Sequence, residues 1–83
     1  MNLAFHPAVY KQLQQLPRTV FTAELSAIIA LSHNPRPVGV KKLVGGRSDW
    51  RIRIGEYRIV YEIDDTSKTV TILGVAHRRD AYR

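Results

Sequence analysis

The chain contains no cysteine, so neither a disulfide framework nor a cysteine-based metal site can hold it together, and its stability falls to packing or to a partner. No run approaches the ~18 to 20 apolar residues of a membrane span. Met1 to Val9 has neither the basic opening nor the apolar length of a secretory signal, which leads us to expect a cytoplasmic protein with no membrane partner. Internal repeats and low-complexity tracts are absent, and Gly45-Gly46 is a flexible joint rather than a phosphate-cradling loop. Nothing in the chain calls for a metal or a cofactor. Acidic residues are scarce, 7 against 13 Lys and Arg, which leaves a net charge of +6 and a pI of about 10.2. That balance suits nucleic acid, an acidic protein, or both. What is present, 83 residues with 45% hydrophobic and 24% charged, is the composition of one ordinary globular domain spanning 1–83.

The charge is unevenly placed. Before Arg36 the charged residues are Lys11, Arg18 and Glu24, whereas the rest of the chain carries most of the lysines and arginines. At its centre is WRIRIGEYRIVYEI, Trp50 to Ile63, in which apolar residues recur at every second position on either side of Gly55-Glu56. This is the period of half-buried strands. A two-residue type II′ turn with Gly55 in first place sets Ile54 against Tyr57, Ile52 against Ile59 and Arg53 against Arg58. Like charges directly opposite destabilise a sheet by up to about 1 kcal/mol, and Arg51 adds a third guanidinium to the same face. An anion relieves the repulsion, because the planar donor fork of arginine matches phosphate oxygens and keeps its charge. Any one of these arginines alone would read as a solvated surface residue. Three on one face point to phosphate recognition.

Around the hairpin, Asn2 to Phe5 is compatible with a strand, and Pro7 after His6 opens a helix with Val9, Leu13 and Leu16 on its apolar stripe. Pro17 breaks it. A second helix from about Thr19 presents Phe21, Leu25, Ile28, Ile29 and Leu31 and ends before Asn34-Pro35. The tight junction at Pro17-Arg18 suggests an antiparallel helix pair or a sharply bent one. NPRPVGVKKLVGGRSD then reads as a long basic loop anchored at Leu43, either functional or a plain linker. Asp64 to Lys68 forms a polar turn before a strand over Thr69 to Ala76, rich in β-branched residues. Pairing Ile63 with Thr69 would set Arg58 opposite Gly74, leaving space beside the guanidinium. The same alternation puts Val60, Val70, Ile72 and Arg78 on the arginine face, and the helices over Trp50, Ile52, Tyr57, Ile59 and Leu73. The fold class is therefore α+β: two N-terminal helices packed on one face of a small, mainly antiparallel β-sheet.

The KKLVGG loop, WRIRIGEYRIVYEI, the short acidic turn and TVTILGVAHRRDAYR together resemble the RelE group of the RelE/ParE toxin superfamily. The resemblance spans nearly the whole chain, and its specific part is Leu43 to Tyr82. It implies a RelE/ParE-like fold and a ribosome-dependent mRNA endoribonuclease toxin that cuts message in the ribosomal A site without a metal. It also implies a cognate acidic, RelB-like antitoxin, with operator DNA met only through the antitoxin complex. Residue by residue, it places Arg51 and Arg53 at the family's paired basic positions and Arg58 at the arginine after the hairpin tyrosine. Arg78 falls at the arginine beyond the last strand, and Tyr82 at the aromatic position near the end. Relatives often carry lysine at the paired positions. Arginine does not give up its proton, which turns the general-base role away from Arg51.

Metal-free RNA cleavage by 2′-hydroxyl attack needs one proton removed, charge on the phosphate oxygens stabilised, and the departing oxygen protonated. Arginines suit the second of these requirements, and Arg53, Arg58 and Arg78 are the candidates for it, with Arg51 joining them or gripping flanking phosphates. His77 is the candidate for proton transfer, since it adjoins Arg78 and imidazole titrates near ~6.5, although strict alternation turns it to the opposite sheet face unless the strand end twists. The other reading is a structural histidine at the sheet margin. Tyr82 either stacks on a splayed base or packs on the core. Lys41, Lys42, Arg47 and Arg79 are candidate RNA contacts, whereas Asp49 and Glu62 read as surface carboxylates. Two other functions compete: a ParE-like, non-enzymatic inhibitor of DNA gyrase, and a non-catalytic RNA-binding module. The dense basic cluster on the central strands favours the nuclease.

Overall fold

A computed structural model of the chain describes residues 1–43 and 49–77. In chain order the elements are β1 (Asn2–Phe5), α1 (Pro7–Gln14), α2 (Arg18–His33), β2 (Lys41–Lys42), β3 (Asp49–Ile54), β4 (Tyr57–Asp64) and β5 (Thr69–His77). The strands form one sheet in the order β1-β5-β4-β3-β2, antiparallel except where β1 runs parallel to β5. The helices supply the second layer, α1 lying against β5 and α2 against β5, β1 and β3. This is the α+β arrangement read from the sequence.

Local chemistry accounts for the helix starts. Pro7 sits in the first turn of α1, where a missing N–H is harmless, and the His6 Nδ1 accepts from the Ala8 N–H at 3.2 Å. Pro17 ends that segment and leads into α2, its carbonyl accepting from the Phe21 N–H at 2.8 Å. Val9 and Leu13 from α1 and Ile28 and Leu31 from α2 are buried against Ile59, Tyr61 and Ile63 of β4 and Val70, Ile72 and Val75 of β5. Each such aliphatic side chain contributes roughly 1.5–3 kcal/mol by leaving water. The expected apolar face of α2 needs one correction. Ile29 is 49% exposed, and the buried stripe runs through Glu24, Ile28 and Leu31, with half-buried Phe21 packed alongside. The 3-4-3 spacing of Phe21, Glu24, Ile28 and Leu31 is regular helical periodicity with a carboxylic acid in an apolar position.

The central hairpin has the predicted register, with Ile54 opposite Tyr57, Ile52 opposite Ile59 and Arg53 opposite Arg58. Gly55 has φ +60, and among the described non-glycine residues positive φ occurs only at Lys68, so the left-handed position comes first in the turn, as type II′ requires. The partner strand β5 departs from expectation. Ile63 pairs with Val70 rather than Thr69, and Tyr61 pairs with Ile72 while Val60 pairs with Gly74, leaving Leu73 as a bulged extra residue. A shift of one residue exchanges the faces. Val70 and Ile72, expected beside the arginines, are therefore fully buried under the helices, and Leu73 is not part of the core. Because of the bulge, Ile72 and Val75 both face the core despite their odd spacing. Arg58 consequently lies opposite Ala76, not Gly74. A Cβ at Gly74 would meet Gln12 Oε1 at 3.8 Å, so the space there opens toward α1. That Gln12 oxygen also accepts from the Val75 N–H at 2.8 Å, capping the edge of β5 where β1 has ended.

The basic loop holds a short strand that the sequence did not reveal. Lys41 pairs with Arg51 and Lys42 with Trp50, extending the sheet to five strands. Its approach is fixed by the Tyr61 hydroxyl donating to the Pro35 carbonyl at 2.7 Å and by an Arg36–Asp65 ion pair at 3.0 Å. Val40 packs on the core, and the Leu43 N–H donates to the Asp49 carbonyl at 2.9 Å.

Candidate functional site

Strand alternation decides what the open face of the sheet presents. Ile52, Ile54, Tyr57 and Ile59 turn toward the helices, which leaves Arg51, Arg53 and Arg58 on the other side. There they line a hollow of about 230 Å³ together with Lys41 and Gly39. The pairing of β2 with β3 is what brings Lys41 beside Arg51. Gly39, with φ +91, lets the chain turn into β2 with nothing within 4 Å of where a side chain would start. Arg51 and Arg58 are half-buried and Arg53 is exposed. The Arg53 Nε donates to the Gly55 carbonyl at 3.1 Å, which draws that side chain toward the hairpin tip. Four cationic side chains thus border one small cavity. Their mutual repulsion is offset when a phosphate enters, to which guanidinium forks donate in pairs.

Of the other predicted site residues, Lys42 and His77 are separated from this hollow. Lys42 alternates to the helix side, where its Nζ lies 5.9 Å from the Trp50 ring centroid, and the Arg36 guanidinium is 5.2 Å from the same ring. His77 shares the helix face with Val75 because alternation resumes after the bulge. Its ring meets Tyr57 edge-on at 5.3 Å, and both line a cavity of about 300 Å³ with Gln12, Gln15 and Leu16. The strand end does not twist to bring His77 round to the arginines, so it keeps the opposite face that strict alternation gives it. Arg47, Arg78, Arg79 and Tyr82 lie outside the described residues. Asp49 and Glu62 are directly opposite each other and half-buried rather than freely exposed, with Asp49 Oδ1 buried and without a hydrogen-bond partner. Sequence reasoning missed Gly39 as a lining residue and Arg36 as a stacking one. The two prolines flanking Arg36 were the available signal for a fixed approach to the sheet.

The fold is thus a helix-backed sheet whose open face carries a basic hollow. The chain belongs to the RelE/ParE toxin family: the family model described as the ParE toxin of type II toxin-antitoxin systems matches residues 3–82. It is 39% identical over 86 residues to toxin RelG of Mycobacterium tuberculosis, covering 99% of this chain and 95% of that protein. Among solved structures, the toxin-antitoxin complex RelBE2 of M. tuberculosis contains a chain that matches with a TM-score of 0.81 at 32% identity, over 93% of this chain and 96% of that one. The archaeal RelE-RelB complex of Pyrococcus horikoshii contains another, with a TM-score of 0.83 at 30% identity, over 96% and 97% of the two chains.

Proposed function

We propose that this chain is a ribosome-dependent mRNA endoribonuclease that cleaves by 2′-hydroxyl attack without a metal and is neutralised by an acidic, RelB-like antitoxin. The observation that carries the reading is the hollow walled by Lys41, Arg51, Arg53 and Arg58 on an open sheet face. In this reading Arg53 and Arg58 bind the scissile phosphate and stabilise the charge that develops on its oxygens, while Arg51 holds it or the neighbouring phosphate. Lys41 is the cation in the hollow whose chemistry permits proton release, which arginine does not. Arg78 and Tyr82 complete the site by their match to the family pattern, Tyr82 as a stacking partner for a base. His77 is left out of the phosphate-holding set because it faces the helices. The antitoxin is supported by the complexes in which the similar M. tuberculosis and P. horikoshii proteins were solved, and by the +6 charge. An acidic segment laid over the arginines would remove their mutual repulsion. No helix among the described residues is long and apolar enough to cross a membrane, which is compatible with work in the cytoplasm.

The test is addition of purified protein to ribosomes programmed with a defined message, with the new RNA ends analysed for their phosphate chemistry. Codon-phased cuts that leave a 2′,3′-cyclic phosphate upstream and a free 5′-hydroxyl downstream are expected. Intact message together with blocked DNA supercoiling would instead establish the gyrase-directed reading, and RNA binding without either effect a non-catalytic module. Arg58→Ala should slow cleavage by ~10² or more, as loss of a transition-state donor does. His77→Gln should stay close to wild type.

A further inference from the structure

Glu24 stands apart from the arginine hollow, and its position is hard to explain by packing. It is 1% exposed, and its Oε1 has no hydrogen-bond partner. It lies in the floor of a groove of about 320 Å³ between the first half of α2 and the hairpin tip. Val20, Ala23, Ile54 and Tyr57 give that groove apolar walls, and Glu56 stands with Glu24 as its second carboxylate. No basic side chain is among the described residues that line it. Two of the 7 acidic residues in a chain of net charge +6 therefore face one small cavity. A leucine at position 24 would serve the fold better, since a buried carboxyl without a partner is a standing penalty. Burial pushes the Glu24 carboxyl up to about 7, the expected response of an acid held away from both water and cations.

We infer that this groove is the receptor for one lysine or arginine side chain of the antitoxin, the aliphatic stem lying on Val20, Ala23, Ile54 and Tyr57 and the cationic head pairing with Glu24. Long basic side chains combine an apolar stem with a charged tip in this way, and the volume is near the lower end for a ligand pocket, enough for a side chain rather than an element. The groove adjoins the basic hollow at the hairpin tip, which supports the assignment. The Arg53 Nε contacts the Gly55 carbonyl at the hairpin tip, and Gly55 also borders the groove. A chain crossing the arginines thus reaches Glu24 by rounding a two-residue turn. Such a partner is acidic where it covers the basic hollow and basic at the single point where it enters the groove. The inference rests on the antitoxin partnership proposed above and is independent of the nuclease chemistry.

The first test titrates butylammonium and butylguanidinium into the ¹⁵N-labelled chain, with butanol and pentanoate as neutral and anionic controls. Saturable shifts of the Thr19, Ala23, Gly55 and Glu56 amides are expected for the two cations, weakened at least about tenfold in Glu24→Gln. An equal response to butanol or pentanoate, or unchanged cation affinity in Glu24→Gln, would overturn the assignment. The second test measures Glu24→Leu, which is expected to raise the chain's own Tm while weakening its affinity for the co-expressed antitoxin at least about tenfold. A lowered Tm with unchanged antitoxin affinity would show a merely structural glutamate and overturn it. Failure of the wild-type chain to bind any antitoxin would refute the partnership itself, a result on which the amine titration does not depend.

Discussion

At the scale of single residues, two carboxylates pull the pH dependence of stability in opposite directions. Burial lifts the folded-state pKa of Glu24 from 4.5 to about 7, so the folded chain holds that proton more tightly than the unfolded chain. Its contribution is therefore most favourable at low pH and is lost as pH rises through that window, by up to roughly 3 kcal/mol. Asp64 behaves oppositely. Hydrogen bonds from Ser67 first, and also from Thr66, hold its carboxyl below the usual range, so its contribution is present at neutral pH and lost in acid. Thermal unfolding between pH 5 and pH 8 should show Tm falling as pH rises. Glu24→Gln should flatten that slope, and an unchanged slope would mean the carboxyl is not the source. Tyr61, lifted to about 12 by burial and partly offset by Arg36, stays protonated and donating throughout this range.

At the scale of elements, the hairpin is the part on which both layers depend. Gly55→Val forces a β-branched residue to φ near +60 and should cost about 1 kcal/mol or more. It should also slow RNA cleavage, because the turn sets Arg53 opposite Arg58; the checks are denaturant unfolding and the ribosome assay on the same preparation. This hairpin was legible in the sequence because both of its determinants, the alternation and the glycine, are local. The β4/β5 register was not, since the Leu73 bulge answers to the need to bury Ile72 and Val75 together and leaves no mark in the residue pattern. Counting along the strand did turn His77 away from the arginines, and it stays there because the bulge lies before Val75 and alternation resumes after it. Arg51, Arg53 and Arg58 were legible as one group, whereas Lys41 joins them through a two-residue strand whose pairing is tertiary. Glu24 went unread because a charged letter on an apolar stripe is ordinarily taken as the edge of that stripe.

At the scale of the molecule, the charge is divided by the sheet. The open face carries the basic hollow, and the helix side carries the acidic groove at the hairpin tip. Binding to single-stranded RNA should therefore weaken steeply with salt, by about 0.7 log units per decade for each phosphate neutralised. Arg58→Ala should reduce the slope by about one such increment, measured by fluorescence anisotropy across a salt series; an unaltered slope would place Arg58 outside the contact. The sheet also joins distant parts of the chain, since β1, the first element, is hydrogen-bonded along β5, the last described one. While the polypeptide is being synthesised, β1 must wait for that strand, and the same strand delivers Val70, Ile72 and Val75 to the interior. Without β5 the arginine hairpin lacks the backing that a two-stranded unit needs to be stable in water. Truncation before Thr69 should therefore leave no folded hollow at all, which loss of the cooperative unfolding transition would show.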